Sequence, residues 1–178
     1  TQIAHSLLGG SFSISYQDLV NEKLGLKIGK EETRTNWLRR PLSEAQLNYA
    51  ASDVYYLIDL YRLQKEEFSE TNKLEWLEEE LNRIPTLASF LETPKERLFS
   101  IQKKEEKEIL IEFNNIVNKI SKIEEINPTL LFSKQKQKIL INNILSMGLD
   151  EALKGITEWR AGLIKKPLSI LINSYRVS

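Results

Sequence analysis

The stretch Ser43-Glu44-Ala45-Gln46 narrows the fold of this chain more than any other feature. A serine followed three residues later by glutamine is a capping box. The hydroxyl accepts from an amide of the first turn, and the glutamine side chain reaches back to the N–H of the cap. A helix is therefore predicted to open at about Glu44. Leu47, Ala50, Ala51, Val54, Leu57, Ile58, Tyr61 and Leu63 follow on one apolar side, predicting a single long amphipathic helix to about Phe68. Tyr49 and Asp53 stand four apart on it, one turn, and share a face. A carboxylate under a phenol can hold a metal ion and position a water beside it. An ordinary surface acid beside a core tyrosine would leave the same pattern, so the pair alone does not decide.

The segments before this helix are short. Gln2 to Leu8 has helical spacing at residues 3, 4, 7 and 8 and stops at Gly9-Gly10. Its His5 is read as a surface or capping residue rather than a ligand. Tyr16 to Leu26 repeats the pattern with Leu19, Val20 and Leu24 and breaks at Gly25. From Lys27 to Arg40 the chain reads as an irregular segment around Trp37. It is either a solvated loop anchored by one indole or a place where Lys30, Arg34 or Arg40 meets a phosphate backbone.

Glu66-Glu67, Glu70, Glu75 and Glu78-Glu79-Glu80 make an acidic run around Trp76 and Leu77 that reads as a solvated helix face. Ile84-Pro85 and Thr93-Pro94 bracket a transition, because the residue before proline avoids helical geometry, and a linker is placed at 83–102. Ile109, Leu110, Phe113, Ile116, Val117, Ile120 and Ile123 then form one wide helical stripe. Asn127-Pro128 opens a short turn through Phe132, Ser133 caps a helix through Leu145, and Met147-Gly148 ends it. Asp150 is expected to cap the next turn, and Pro167 to start a last helix. Residues 103–178 thus read as a small all-α bundle.

Charge divides the chain in two. Residues 1–82 carry 9 Lys+Arg against 14 Asp+Glu, and residues 83–178 carry 16 against 11. A basic half beside an acidic half suits a polyanionic partner, nucleic acid in particular. Lys134, Lys138, Arg160, Lys165 and Lys166 are the candidate contacts, in a segment, 127–178, with 8 basic and 3 acidic residues; ordinary solvated lysines are the alternative. The chain has no cysteine, so disulfides and thiolate metal sites are excluded. No apolar run approaches the ~20 residues that cross a bilayer, so no membrane role is expected, and a cytoplasmic setting is. The only methionine is Met147 and the first residue is Thr1, so the chain is read as a fragment.

The run Lys30-Glu31-Glu32-Thr33-Arg34-Thr35-Asn36-Trp37-Leu38-Arg39-Arg40-Pro41-Leu42, continuing through Leu47-Asn48-Tyr49-Ala50-Ala51-Ser52-Asp53-Val54-Tyr55-Tyr56-Leu57, resembles ribonuclease D, a DEDDy 3′→5′ exoribonuclease family with a ribonuclease-H-like fold. The resemblance covers about residues 1–82. It implies that Tyr49-x3-Asp53 is the third exonuclease motif, with Asp53 a ligand of one of two divalent ions, Mg²⁺ or Mn²⁺, and Tyr49 orienting the attacking water. The other carboxylates of that family come from an Asp-x-Glu and an aspartate in two earlier motifs. The four aspartates here are Asp18, Asp53, Asp59 and Asp150, and none begins an Asp-x-Glu. The metal pair would be only partly liganded, and the N-terminal half of the exonuclease domain is the missing partner.

Ile126-Asn127-Pro128-x-Leu130-Leu131 and Ile156-x-x-Trp159-Arg160 resemble an HRDC domain, the helical module that follows the nuclease in that family. The fold class expected is mainly α. The C-terminal helical part of a ribonuclease-H-like α/β domain occupies 1–82, a linker 83–102, and an HRDC-like bundle 103–178. The function implied is hydrolysis of RNA 3′ ends, with tRNA precursors the substrate class. The competing expectation is a non-catalytic nucleic-acid-binding scaffold that retains a nuclease remnant.

Overall fold

The computed structural model describes residues 1–29, 34–83 and 103–176. It is mainly helical, and among the described residues there is no strand. The helices are α1 (Gln2–Leu7), α2 (Tyr16–Leu24), α3 (Glu44–Tyr55), α4 (Leu57–Ser69), α5 (Leu74–Arg83), α6 (Lys103–Ile123), α7 (Pro128–Phe132), α8 (Lys134–Met147), α9 (Leu149–Leu153) and α10 (Glu158–Arg176). Beyond Arg83, the expected linker lies outside the described residues.

Local signals set most of these boundaries. Ser43 forms the full capping box: its Oγ accepts from the Gln46 N–H at 3.2 Å, and Gln46 Oε1 accepts from the Ser43 N–H at 3.1 Å. Ser15, Asn127 and Ser133 cap α2, α7 and α8 in the same manner, each side chain accepting from an amide of the first turn. Gly25 closes α2 at φ 69°, a left-handed conformation that glycine adopts without a Cβ penalty.

The long helix expected from Glu44 to Phe68 is two helices, broken at Tyr56. The cause comes from 40 residues upstream. The Tyr16 hydroxyl donates to the Ser52 carbonyl at 3.0 Å and accepts from the Tyr56 N–H at 3.2 Å. An uninterrupted helix would join that N–H to that carbonyl directly. The phenol occupies the gap between them, and insertion of a side chain into the helical ladder is a physical cause of a break.

The apolar side expected of this helix is also placed differently. Leu47, Val54, Ile58 and Tyr61 are 54%, 60%, 62% and 61% exposed, while Leu60, Gln64 and Phe68 turn inward. Most of the stripe is therefore left exposed, and the inward contacts fall on an adjacent face.

Two clusters form the core. A small one joins Ile14, Leu19, Val20 and Leu60 of the N-terminal helices. The larger one takes Ala4, Leu7 and Phe68 together with Ile109, Phe113 and Val117 of α6 and the buried faces of α7, α8 and α10. Residues from both sides of the expected linker thus share one apolar core. In α6 the stripe holds at Ile109, Phe113 and Val117, but Ile123 at its end is 66% exposed.

Three smaller expectations change. Pro167 lies inside α10 instead of starting a helix. The cap of α9 is Gly148, and Asp150 sits within its first turn, paired to Lys165. His5 is buried, at 2% exposure, with Nε2 accepting from the Ser11 N–H at 3.1 Å. Gly10 is what makes room for it: a Cβ there would stand 2.1 Å from His5 Nε2.

The acidic run of α5 is a solvated face only in part: Glu75 and Glu78 are exposed, whereas Glu79 and Glu80 are partly covered. Glu80 pairs with Arg160 and also accepts from Trp159 Nε1 at 3.0 Å, while Glu79 accepts from the Glu158 N–H at 2.7 Å at the start of α10. Trp76 stacks on Trp159 with ring centres 4.8 Å apart and planes 12° apart. The acids and the indole of α5 dock it onto the C-terminal helices.

Candidate active site

Tyr49 and Asp53 lie on α3, with the N-terminal end of α2 against them. Gln17 Nε2 donates to the Tyr49 hydroxyl at 3.5 Å, a long contact. The Trp37 ring packs on Tyr49, centroids 5.9 Å apart and tilted 55°. The loop that carries Trp37 is fixed by the same glutamine that closes the capping box. Gln46, 7% exposed, donates from Nε2 to Thr35 Oγ1 at 3.0 Å and to the Asn36 carbonyl at 3.3 Å. The helix start and the loop over Tyr49 are therefore one hydrogen-bonded unit. Sequence reasoning saw the cap but not this second use of its glutamine.

Asp53 is half-buried, and its Oδ1 is fully covered with no hydrogen-bond partner among the described residues. A covered carboxylate oxygen without a partner is costly, of order 1–3 kcal/mol or more for a charged group. It is the kind of oxygen that a hard divalent cation or its water takes up. Tyr16 stands nearby: burial raises its hydroxyl above the ordinary phenol range, the bond from the Tyr56 amide opposes this, and the Asp53 carboxylate adds to the rise. The hydroxyl thus stays a donor to Ser52. Nothing in the local sequence around Tyr16 signals this contact, since its partners lie 36 and 40 residues away.

The residues present suit part of a metal site. Asp53 could supply one oxygen ligand. Among the described residues no group of three or more acidic or histidine side chains could hold a metal ion. A complete two-ion centre would need carboxylates from elsewhere.

The comparisons with known proteins bear on this same stretch. Residues 1–67 match the model of the 3′-5′ exonuclease family, a span that contains both Tyr49 and Asp53. Ribonuclease D of Shewanella sp. (strain ANA-3) is 48% identical over 84 residues, 47% of this chain and 22% of that protein. Ribonuclease D of Xanthomonas oryzae pv. oryzae (strain KACC10331 / KXO85) is 45% identical over 84 residues, 47% of this chain and 23% of that protein. This chain is similar to ribonuclease D. It spans less than a quarter of the length of these two relatives. The crystal structure of Escherichia coli RNase D, described as an exoribonuclease involved in structured RNA processing, aligns at a TM-score of 0.47 with 19% identity, over 99% of this chain and 48% of that one.

The expected nucleic-acid contacts divide when placed in the structure. Lys30 lies outside the described residues. Arg34 is exposed in the loop before α3. Arg40 is exposed too, but its Nη1 donates to the carbonyls of Trp37 at 2.7 Å and Arg39 at 3.0 Å, so it also shapes the loop beside the ribonuclease-D-like motif. Lys134 and Lys138 are exposed on α8, and Lys134 borders a groove of about 420 Å³ with Asn114, Thr129 and Ser133. Lys166 is exposed on α10, as is Lys165, whose ammonium lies 2.9 Å from Asp150.

Arg160 is the correction. It is 6% exposed, and every N–H of its guanidinium has an acceptor. Nε donates to the Leu131 carbonyl and Nη2 to the Leu130 carbonyl, Nη1 donates to Thr157 Oγ1, and the remaining two N–H groups meet the two Glu80 carboxylate oxygens. The guanidinium also lies 4.4 Å from the centre of the Trp159 ring. Burial lowers its pKa from the ordinary value and Glu80 opposes that shift. No donor is left for a phosphate, because the planar fork that suits nucleic acid suits a buried carboxylate equally well.

Proposed function

We propose that this chain is part of a ribonuclease-D-like 3′→5′ exoribonuclease, with Asp53 a metal ligand and Tyr49 the residue that orients the attacking water. The observation that carries this reading is the covered, unpartnered Asp53 Oδ1, one turn from Tyr49 and within the span that matches the exonuclease family. A pair of Mg²⁺ or Mn²⁺ ions, when bound, would activate a water and offset charge on the attacking and leaving oxygens of the phosphodiester. The chain's own part is positional. Asp53 presents an oxygen on a fixed helix, and Trp37 and Gln17 hold the Tyr49 ring with its hydroxyl toward the same face.

The remaining carboxylates would come from the N-terminal half of the exonuclease domain. The exposed stripe of Leu47, Val54, Ile58 and Tyr61 is the surface on which that half would pack. Helices α6 to α10 would form the HRDC-like unit, with residues 1–82 the nuclease part. Lys134, Lys138, Lys165 and Lys166, with Lys30, Arg34 and Arg40 on the nuclease side, would hold RNA by its backbone, tRNA precursors being the expected substrate class in a cytoplasmic setting.

The test is Asp53→Ala in the full-length protein, assayed on 3′-labelled RNA over a range of Mn²⁺ concentrations. Turnover should vanish while RNA affinity stays within about twofold. Retained turnover would remove Asp53 from the site and this reading with it.

A further inference from the structure

The sequence pattern predicts one helix from Glu44 to Phe68, and the structure breaks it three residues past Asp53. We infer that Tyr16 is a positioning residue for the Tyr49–Asp53 site, acting by keeping α3 and α4 apart. This inference rests on the assignment of Asp53 and Tyr49 to an exonuclease site.

One helical hydrogen bond is missing at the break. At the break, the Tyr56 N–H and the Ser52 carbonyl are four residues apart, the spacing of an ordinary helical hydrogen bond. Both are satisfied by the Tyr16 hydroxyl, at 3.2 and 3.0 Å. No glycine or proline occurs between Glu44 and Ser69, so the local sequence supplies no other breaker. Remove the hydroxyl, and the amide and carbonyl are free to bond each other and heal the helix.

Healing would not be confined to the joint. Asp53 is one of the residues enclosed by the Ser52–Tyr56 turn, so its carboxylate moves with any change in that turn. The same end of α2 carries three successive roles: Ser15 caps α2, Tyr16 fills the break, and Gln17 reaches the Tyr49 hydroxyl. α2 is anchored in turn by Leu19 and Val20, which are buried with Leu60 of α4. The phenol therefore references the site to a packed helix, and a shift on the order of 1 Å at reacting groups can cost about 10²-fold in rate.

The experiment uses full-length protein and Mn²⁺ as the metal. Tyr16→Phe deletes one oxygen. Expected are a fall in kcat of about 10-fold to 10²-fold, a several-fold rise in the Mn²⁺ concentration for half-maximal turnover, and an RNA KM within about twofold of wild type. A residue that served stability alone would lower Tm and leave kcat and the Mn²⁺ midpoint where they were, and that result overturns the inference.

A second comparison isolates the bond through which Tyr16 acts. Proline at position 56 has no N–H to give, so Tyr56→Pro blocks healing whatever stands at residue 16. In that background, adding Tyr16→Phe should change kcat by no more than about twofold, because neighbouring effects that act through one bond are not additive. A further 10-fold loss there would overturn the proposed route. Wild-type protein without metal-dependent hydrolysis would refute the exonuclease reading itself. An active wild type beside an unchanged Tyr16→Phe would refute only the role of Tyr16.

Discussion

Replacing Glu80 with alanine should cost this protein a large part of its stability, and the structure gives the size. The Glu80 and Arg160 side chains are 13% and 7% exposed, so neither charge is compensated by water when its partner goes. Truncating Glu80 would leave two guanidinium N–H groups and the Trp159 indole N–H without their acceptor. Removing one partner of a buried pair typically costs about 3–5 kcal/mol, most of it the penalty of stranding the other charge. For a chain of this size each kcal/mol moves Tm by roughly 2–4 °C, so the expected drop is about 6–20 °C. Urea unfolding followed by circular dichroism measures the free-energy loss, and thermal unfolding the shift in Tm. Glu80→Gln, which keeps the shape and one acceptor, should lose less. The loss should persist in 1 M NaCl, since screening hardly reaches a buried pair, in contrast to the exposed Lys165–Asp150 contact. A Glu80→Ala protein within 1 kcal/mol of wild type would mean that Arg160 leaves its pocket at little cost. Its assignment as an interior residue would then be wrong, and its place among the nucleic-acid contacts would reopen.

Other substitutions test separate parts of the argument. Lys165→Ala with Lys166→Ala should weaken RNA binding and flatten its salt dependence by about 1.4 in log–log slope if both meet single-stranded phosphate; an unchanged slope refutes that contact. Gly10→Ala would set a Cβ 2.1 Å from Nε2 of the buried His5, and an overpacking loss of about 1–3 kcal/mol should appear on chemical denaturation. Ser43→Ala removes the hydroxyl of the capping box and should cost about 1 kcal/mol; unaltered stability would show that Gln46 holds the helix start without it.

How much was legible depended on how far apart the partners are in the chain. The helix starts at Glu44, Pro128 and Lys134 were readable because the cap and the amide it serves lie within three residues. The resemblance around Tyr49-x3-Asp53 was readable because it is a contiguous run, and the family match covers the same stretch. The stripe in α6 was readable because one helical face repeats with the period of the helix. The failures share the opposite property. Arg160 reads as a nucleic-acid contact in the sequence because its partner, Glu80, lies 80 residues away. His5, expected as a surface or capping residue, is buried because Gly10 leaves room for its ring and the fold brings Glu22 of α2 within 3.7 Å of Nδ1.

The capping box itself shows the division. Ser43 and Gln46 by themselves determine that a helix begins at Glu44, because short-range hydrogen bonds need only their own few residues. Where that helix ends was decided by tertiary structure: Tyr16, brought in by the packing of α2, takes the Tyr56 N–H and the Ser52 carbonyl from each other. Local bonds are written in adjacent residues. Competition for them by a side chain 40 residues away exists only once the chain has folded.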